Sequence, residues 1–134
     1  MKVVLDTNCF ISCIGKKSIY RNVFDCFLNS TYELCLSTEV LLEYEEIFTS
    51  KWGVEVTENL FARMLKADNI SFFNNYFDFN LSKDIDDDKF INLYIASNSD
   101  FLITNDNDIL QFKNNPFPPL KIFTLQEFSV YLVQ

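Results

Sequence analysis

Lys2-Val3-Val4-Leu5-Asp6-Thr7-Asn8 follows the first methionine of the chain. Its aliphatic and β-branched residues, Lys2 to Leu5, are too few for a helix and read as a buried strand, and Asp6 ends that strand. The same design returns near the other end. Phe101-Leu102-Ile103-Thr104-Asn105-Asp106 is a second short apolar run, with a strand over Phe101–Thr104 and an acid just beyond it. Acids at strand ends are often only turn or helix-capping residues, and either one alone would prove nothing.

Between these two stretches the apolar spacing alternates between strand and helix. Ser18–Asn29 sets Ile19, Val23 and Phe27, then Phe24 and Leu28, at helical intervals. Tyr32–Leu36 reads as a strand. Ser37 can cap a helix running to about Thr49, with Val40, Leu41, Tyr44, Ile47 and Phe48 on one face. Thr57–Lys66 predicts another helix, and Asn69–Asn80 a strand with a long loop. Helical spacing resumes from Asp86 or Asp87 to Asn98. Beyond Thr104 come a helical turn at Asp108–Gln111, a Pro-rich loop and a strand at Lys121–Phe123. Thr124-Leu125-Gln126-Glu127 then has the form of a capping box, opening a helix with Phe128, Tyr131 and Leu132 inward. Such alternation implies an α/β sandwich around a mainly parallel sheet, with its site at the carboxyl ends of the strands.

The chain has 134 residues, of which 49% are hydrophobic and 16% aromatic. That suits one domain, 1–134, with a substantial core. No apolar run reaches the roughly 18 residues of a membrane span, and Asp6 closes the first apolar stretch too early for a signal peptide. A cytoplasmic protein without a membrane partner is expected. Cys9, Cys13, Cys26 and Cys35 lack zinc-type spacing and there is no His, so they are expected to be reduced and packed as small apolar residues.

The formal charge is −8, which argues against an extensive nucleic-acid footprint. The acids are not evenly spread. Seven Asp and a single basic residue, Lys89, lie from Asp84 to Asp108. Such a cluster either stays in solvent or holds cations. Carboxylate oxygens suit Mg²⁺ and Mn²⁺, and two such ions can promote phosphodiester cleavage without a His base. Asp6, Asp87, Asp106 and Glu43 are the candidate ligands. Glu43 borders the apolar face of its helix, but Glu45 borders the other edge equally, and periodicity leaves that choice open. In the third acidic run Asp87 falls within the arc of Phe90, Ile91 and Tyr94. Asp88, turned by about 100°, leans towards polar Asn92 and solvent.

Four motifs in order resemble those of PIN-domain nucleases, most closely the branch of toxins from toxin–antitoxin pairs. They are Val3-Val4-Leu5-Asp6-Thr7-Asn8, Ser37-Thr38-Glu39-Val40-Leu41-Leu42-Glu43-Tyr44, Asp84-Ile85-Asp86-Asp87-Asp88-Lys89-Phe90 and Phe101 to Asp106. The resemblance spans nearly the whole chain and singles out Glu43. It implies a three-layer α/β/α sandwich, Mg²⁺ or Mn²⁺ at Asp6, Glu43, Asp87 and Asp106, and endonucleolytic cleavage of single-stranded RNA. Asn8, Asp88, Thr104 and Asp108 are expected to assist around these ligands. Lys16, Lys17 and Arg21 form a basic cluster suited to RNA phosphates. An antitoxin and a homodimer are the partners implied, and the aromatic stretch Phe72–Phe79 could serve a dimer surface. The alternative is a PIN-fold module that binds RNA or protein and cleaves poorly. An EF-hand is excluded because Lys89 and Ile95 stand where Gly and Glu are needed. A phosphate-accepting receiver is disfavoured too, since Asp6 stands without a second acid and Lys121 opens its strand.

Overall fold

The structure is a computed structural model that describes residues 1–74 and 85–134, with backbone alone for residues 85–87. The elements run β1 (Lys2–Leu5), α1 (Thr7–Ile14), α2 (Arg21–Leu28), β2 (Glu33–Leu36), α3 (Thr38–Trp52), α4 (Val54–Leu65) and β3 (Ile70–Phe72). They continue with α5 (Ile85–Ser97), β4 (Phe101–Ile103), α6 (Asn107–Leu110), β5 (Ile122–Phe123) and α7 (Leu125–Leu132). The described strands form one parallel sheet in the order β3-β2-β1-β4-β5.

β1 lies at the centre, and Val3, Val4 and Leu5 are fully buried, as a parallel strand covered on both faces requires. From β1 the chain winds outward through β2 to β3, then returns across the sheet to β4 and moves on to β5. Right-handed crossovers in opposite directions put helices on opposite faces. Accordingly α5 packs on β1, β2 and β4, while α1 joins α2 and α3, and α7 packs on α2. This is an α/β/α sandwich. The direction of winding reverses between β1 and β4, the switch point beyond whose strand ends open α/β sheets form their binding crevice.

The many aromatics fill the helical layer over the sheet. Phe10 is fully buried, with Phe24, Phe27, Tyr44 and Phe48 around it at ring-centroid distances of 5.1–6.4 Å. Cys9, Cys13 and Cys35 are buried in the core, Cys9 beside Asp6 and Cys35 beside Ser97 and Ser99, and Cys26 is half-buried; all four are free thiols.

Four local expectations change. A helix, α1, begins immediately after β1, because the Asp6 carboxylate accepts the Cys9 N–H at 2.9 Å and caps it. Its sequence, TNCFISCI, is short, and its exposed face is only Asn8 and Ser12. α2 starts only at Arg21, so Ile19 is 83% exposed rather than part of a helical stripe. α3 and α4 are longer than the spacing predicts and meet at Gly53, whose φ of 87° is a left-handed conformation that favours glycine. In α7 the buried residues are Leu125 and Phe128, whereas Tyr131 is 42% exposed and lies over the rings of Phe101 and Phe123. Among the described residues no helix is long and apolar enough to cross a membrane.

Candidate active site

The crevice between β1 and β4 is where Asp6 and Asp106 come together. Leu5 pairs with Ile103 in the sheet register, and the Asp6 N–H donates to the Ile103 carbonyl at 3.0 Å. Asp6 and Thr104 therefore leave their strands side by side. The Thr104 hydroxyl donates to Asp6 Oδ2 and accepts the Asp106 N–H at 3.0 Å. Asp106 accepts the Asp108 N–H at 2.9 Å and caps α6. Both acids are thus helix caps, as the simplest reading of each predicts. Capping does not exhaust them, because each carboxylate oxygen carries two lone pairs.

The electrostatics of Asp6 are unusual for a cap. Only 7% exposed, it is pushed up by burial, pulled down by the Thr104 hydroxyl and the Cys9 N–H, and pushed up again by the Asp106 charge. The balance is upward. The anion is incompletely compensated by its protein neighbours, which is the condition a cation would relieve.

Glu43 approaches from α3. Its Oε2 accepts the Thr7 hydroxyl, and its Oε1 lies 2.8 Å from the Lys89 ammonium on α5. Glu45, its rival by periodicity, is exposed. Thr7 and Lys89 hold Glu43 on the inner side of α3, and Tyr44, fully buried, donates its hydroxyl to the Leu5 carbonyl and ties α3 to the end of β1. Thr7, Tyr44 and Lys89 were not singled out by sequence reasoning, although Lys89 is conspicuous as the one base of the acidic run.

The third motif is only partly visible. The backbone of Asp87 lies in the first turn of α5, but its side chain, like those of Asp84 and Asp86, falls outside the described residues. Asp88 and Asn92 are 4% and 8% exposed. The helical wheel expected Asp88 to lean to a solvated edge, and this is corrected. α5 is covered by the sheet and also by α3, so its buried arc is wider than one face. Phe90, Ile91, Leu93 and Tyr94 are buried as predicted.

Asn8 and Asp108 are exposed beside the crevice, and Lys16 and Lys17 are exposed after α1. Arg21 is engaged within the fold. Its guanidinium bonds Asp25 at 2.9 Å, donates to the Ile14 carbonyl and lies 4.9 Å from the Phe24 ring centre. Phe72 is 55% exposed, Phe73 packs on the core, and residues 75–79 lie outside the described residues.

Among the described residues no three acids, thiols or imidazoles form a ready ligand cage. The residues present still fit a hard divalent cation. Asp6, Asp106 and Glu43 offer oxygen alone, and Asp6 is buried with a like charge near it.

The sequence matches the family model described as PIN domain over residues 2–108. No curated protein matches the chain. Among solved structures it is similar to VapBC2 from Rickettsia felis, crystallised with a DNA fragment from its promoter, at 20% identity and a TM-score of 0.61. That likeness covers 92% of this chain and 98% of the other. It is also similar to the PIN-domain endonuclease Utp24, at 19% identity and a TM-score of 0.52, over 92% of this chain and 84% of the other.

Proposed function

The chain belongs to the PIN-domain family, a family of nucleases, and on that premise we propose that it is a divalent-metal-dependent endoribonuclease. Its substrate in this reading is single-stranded RNA, and its setting is a cytoplasmic toxin–antitoxin pair in which the whole chain, 1–134, is the nuclease domain. The observation that carries the reading is the buried Asp6 carboxylate at the β1–β4 switch point, linked through Thr104 to Asp106. Likeness to VapBC2 supports the toxin setting and an antitoxin partner.

Asp6, Glu43, Asp87 and Asp106 would hold Mg²⁺ or Mn²⁺. When bound, such ions supply activation of water and stabilisation of the leaving oxygen. The protein's own contribution is placement. Thr104 and the α1 N-terminus fix Asp6, the Asp108 N–H fixes Asp106, and Thr7 with Lys89 fixes Glu43. Lys16 and Lys17 would meet RNA phosphates at the end of α1, and a homodimer is part of the same proposal.

Cleavage of end-labelled single-stranded RNA with EDTA, Mg²⁺ or Mn²⁺ tests this. Internal cuts that need the ion and disappear in Asp6→Asn are expected. RNA binding without cleavage at any ion concentration would refute it in favour of a binding module.

A further inference from the structure

We propose that Lys89 is a built-in counter-cation of the carboxylate site, neutralising Glu43 while no divalent ion is bound and setting how tightly such an ion is held. The inference rests on reading this site as a metal site.

Lys89 is the single basic residue from Asp84 to Asp108. Its ammonium does not point to water from the helix surface. It crosses from α5 to α3 and meets Glu43 Oε1 at 2.8 Å, with side-chain exposures of only 13% for the Lys and 21% for the Glu. The other oxygen, Oε2, is taken by the Thr7 hydroxyl. Every predicted ligand at the crevice is an acid, so the Lys89 ammonium supplies positive charge where like charges accumulate. A largely buried ion pair is costly to break by removing one partner, because the other charge is left uncompensated.

An ammonium donates hydrogen bonds but cannot bind a cation. A divalent ion arriving at Glu43, whether at Oε1 or at the second lone pair of Oε2, therefore meets the ammonium across one carboxylate. In either case the positive charge opposes the ion. Lys89 thus keeps the ion-free site folded and lowers its affinity for the ion. It is a positioning and charge-balancing residue rather than a catalytic one.

Calorimetric titration of the full chain with Mn²⁺, together with melting curves in EDTA and at saturating Mn²⁺, tests this. Lys89→Met is expected to melt lower in EDTA, to bind Mn²⁺ about tenfold more tightly, the scale of one neighbouring charge, and to gain more melting temperature than the parent at saturation. Lys89→Gln, which keeps a hydrogen-bond donor without the charge, should shift affinity the same way if Lys89→Met folds poorly. Lys89→Arg should behave as the parent. Equal or weaker binding in the neutral variants, or an equal loss of stability with and without Mn²⁺, would overturn the proposal. A parent chain that binds no Mn²⁺ would overturn both this inference and the metal-site reading. Parent binding with unchanged variants would overturn this inference alone.

Discussion

Replacing Thr104 by Val removes one hydroxyl and leaves the β-branched shape in place. That hydroxyl is fully buried and makes two bonds, one donated to the Asp6 carboxylate and one accepted from the Asp106 N–H. A hydrogen bond to a charged group contributes about 1.5–3 kcal/mol, and the backbone bond adds about 0.5–1.5 kcal/mol. The new methyl group returns about 0.8 kcal/mol. The net loss is about 1.2–3.7 kcal/mol. With an unfolding entropy of about 2.1 cal/mol/K per residue over 134 residues, the melting temperature should fall by about 4–13 °C. The loss should also depend on pH. Burial holds Asp6 above its ordinary value of 3.8, and the hydroxyl counters that shift; without it the shift grows. A carboxylate raised in the folded state costs stability where it is ionised, so the added cost is absent below 3.8 and develops as pH rises through the folded value. Thermal and urea unfolding in EDTA across acid to neutral pH measures both effects. A loss below about 0.5 kcal/mol at neutral pH, or one of equal size at every pH, would refute the role given to Thr104.

Asp6→Asn should abolish RNA cleavage, shift the melting temperature by no more than a few degrees, and flatten the fall of ion-free stability as pH rises above 3.8; an unfolded variant would make Asp6 structural instead. Asp87→Asn should lower cleavage at least about a hundredfold, roughly 2.7 kcal/mol of transition-state stabilisation. Asp88→Asn should cost less cleavage but measurable stability, since Asp88 is buried; the reverse ranking on folded variants at equal Mn²⁺ would make Asp88 the ligand. Burial raises the Cys9, Cys13 and Cys35 thiols, Cys13 to about 12, so a thiol reagent near neutral pH should label Cys26 in the native protein and the others only on unfolding. Rapid labelling of Cys9 or Cys13, read by mass spectrometry, would contradict the packing described.

The strand pattern was legible because parallel strands buried on both faces are short unbroken apolar runs, and each of those closed by an acid stands at the carboxyl edge. Ser37 and Thr124 announced α3 and α7 because capping chemistry is local to a few residues. α1 was not legible, since it is only eight residues long and its polar phase is confined to Asn8 and Ser12. The preference for Glu43 over Glu45 came from family likeness alone, because it depends on Thr7 and Lys89, contacts that no one-dimensional period encodes. Asp88 was misjudged because a wheel supposes one covered face, whereas α5 is covered twice.

The bond from Thr104 to Asp6 joins residues 98 positions apart. During synthesis at about 5–20 residues per second, Asp6 leaves the peptidyl-transferase centre roughly 5–20 s before its partner exists. β1 cannot complete its place in the sheet until β4 is made, so a nascent chain holds no assembled crevice for most of its elongation. The order of the strands thus acts as a timer. A growing polypeptide tethered beside a messenger RNA gains its organised cluster of acids only after more than three quarters of its 134 residues are joined.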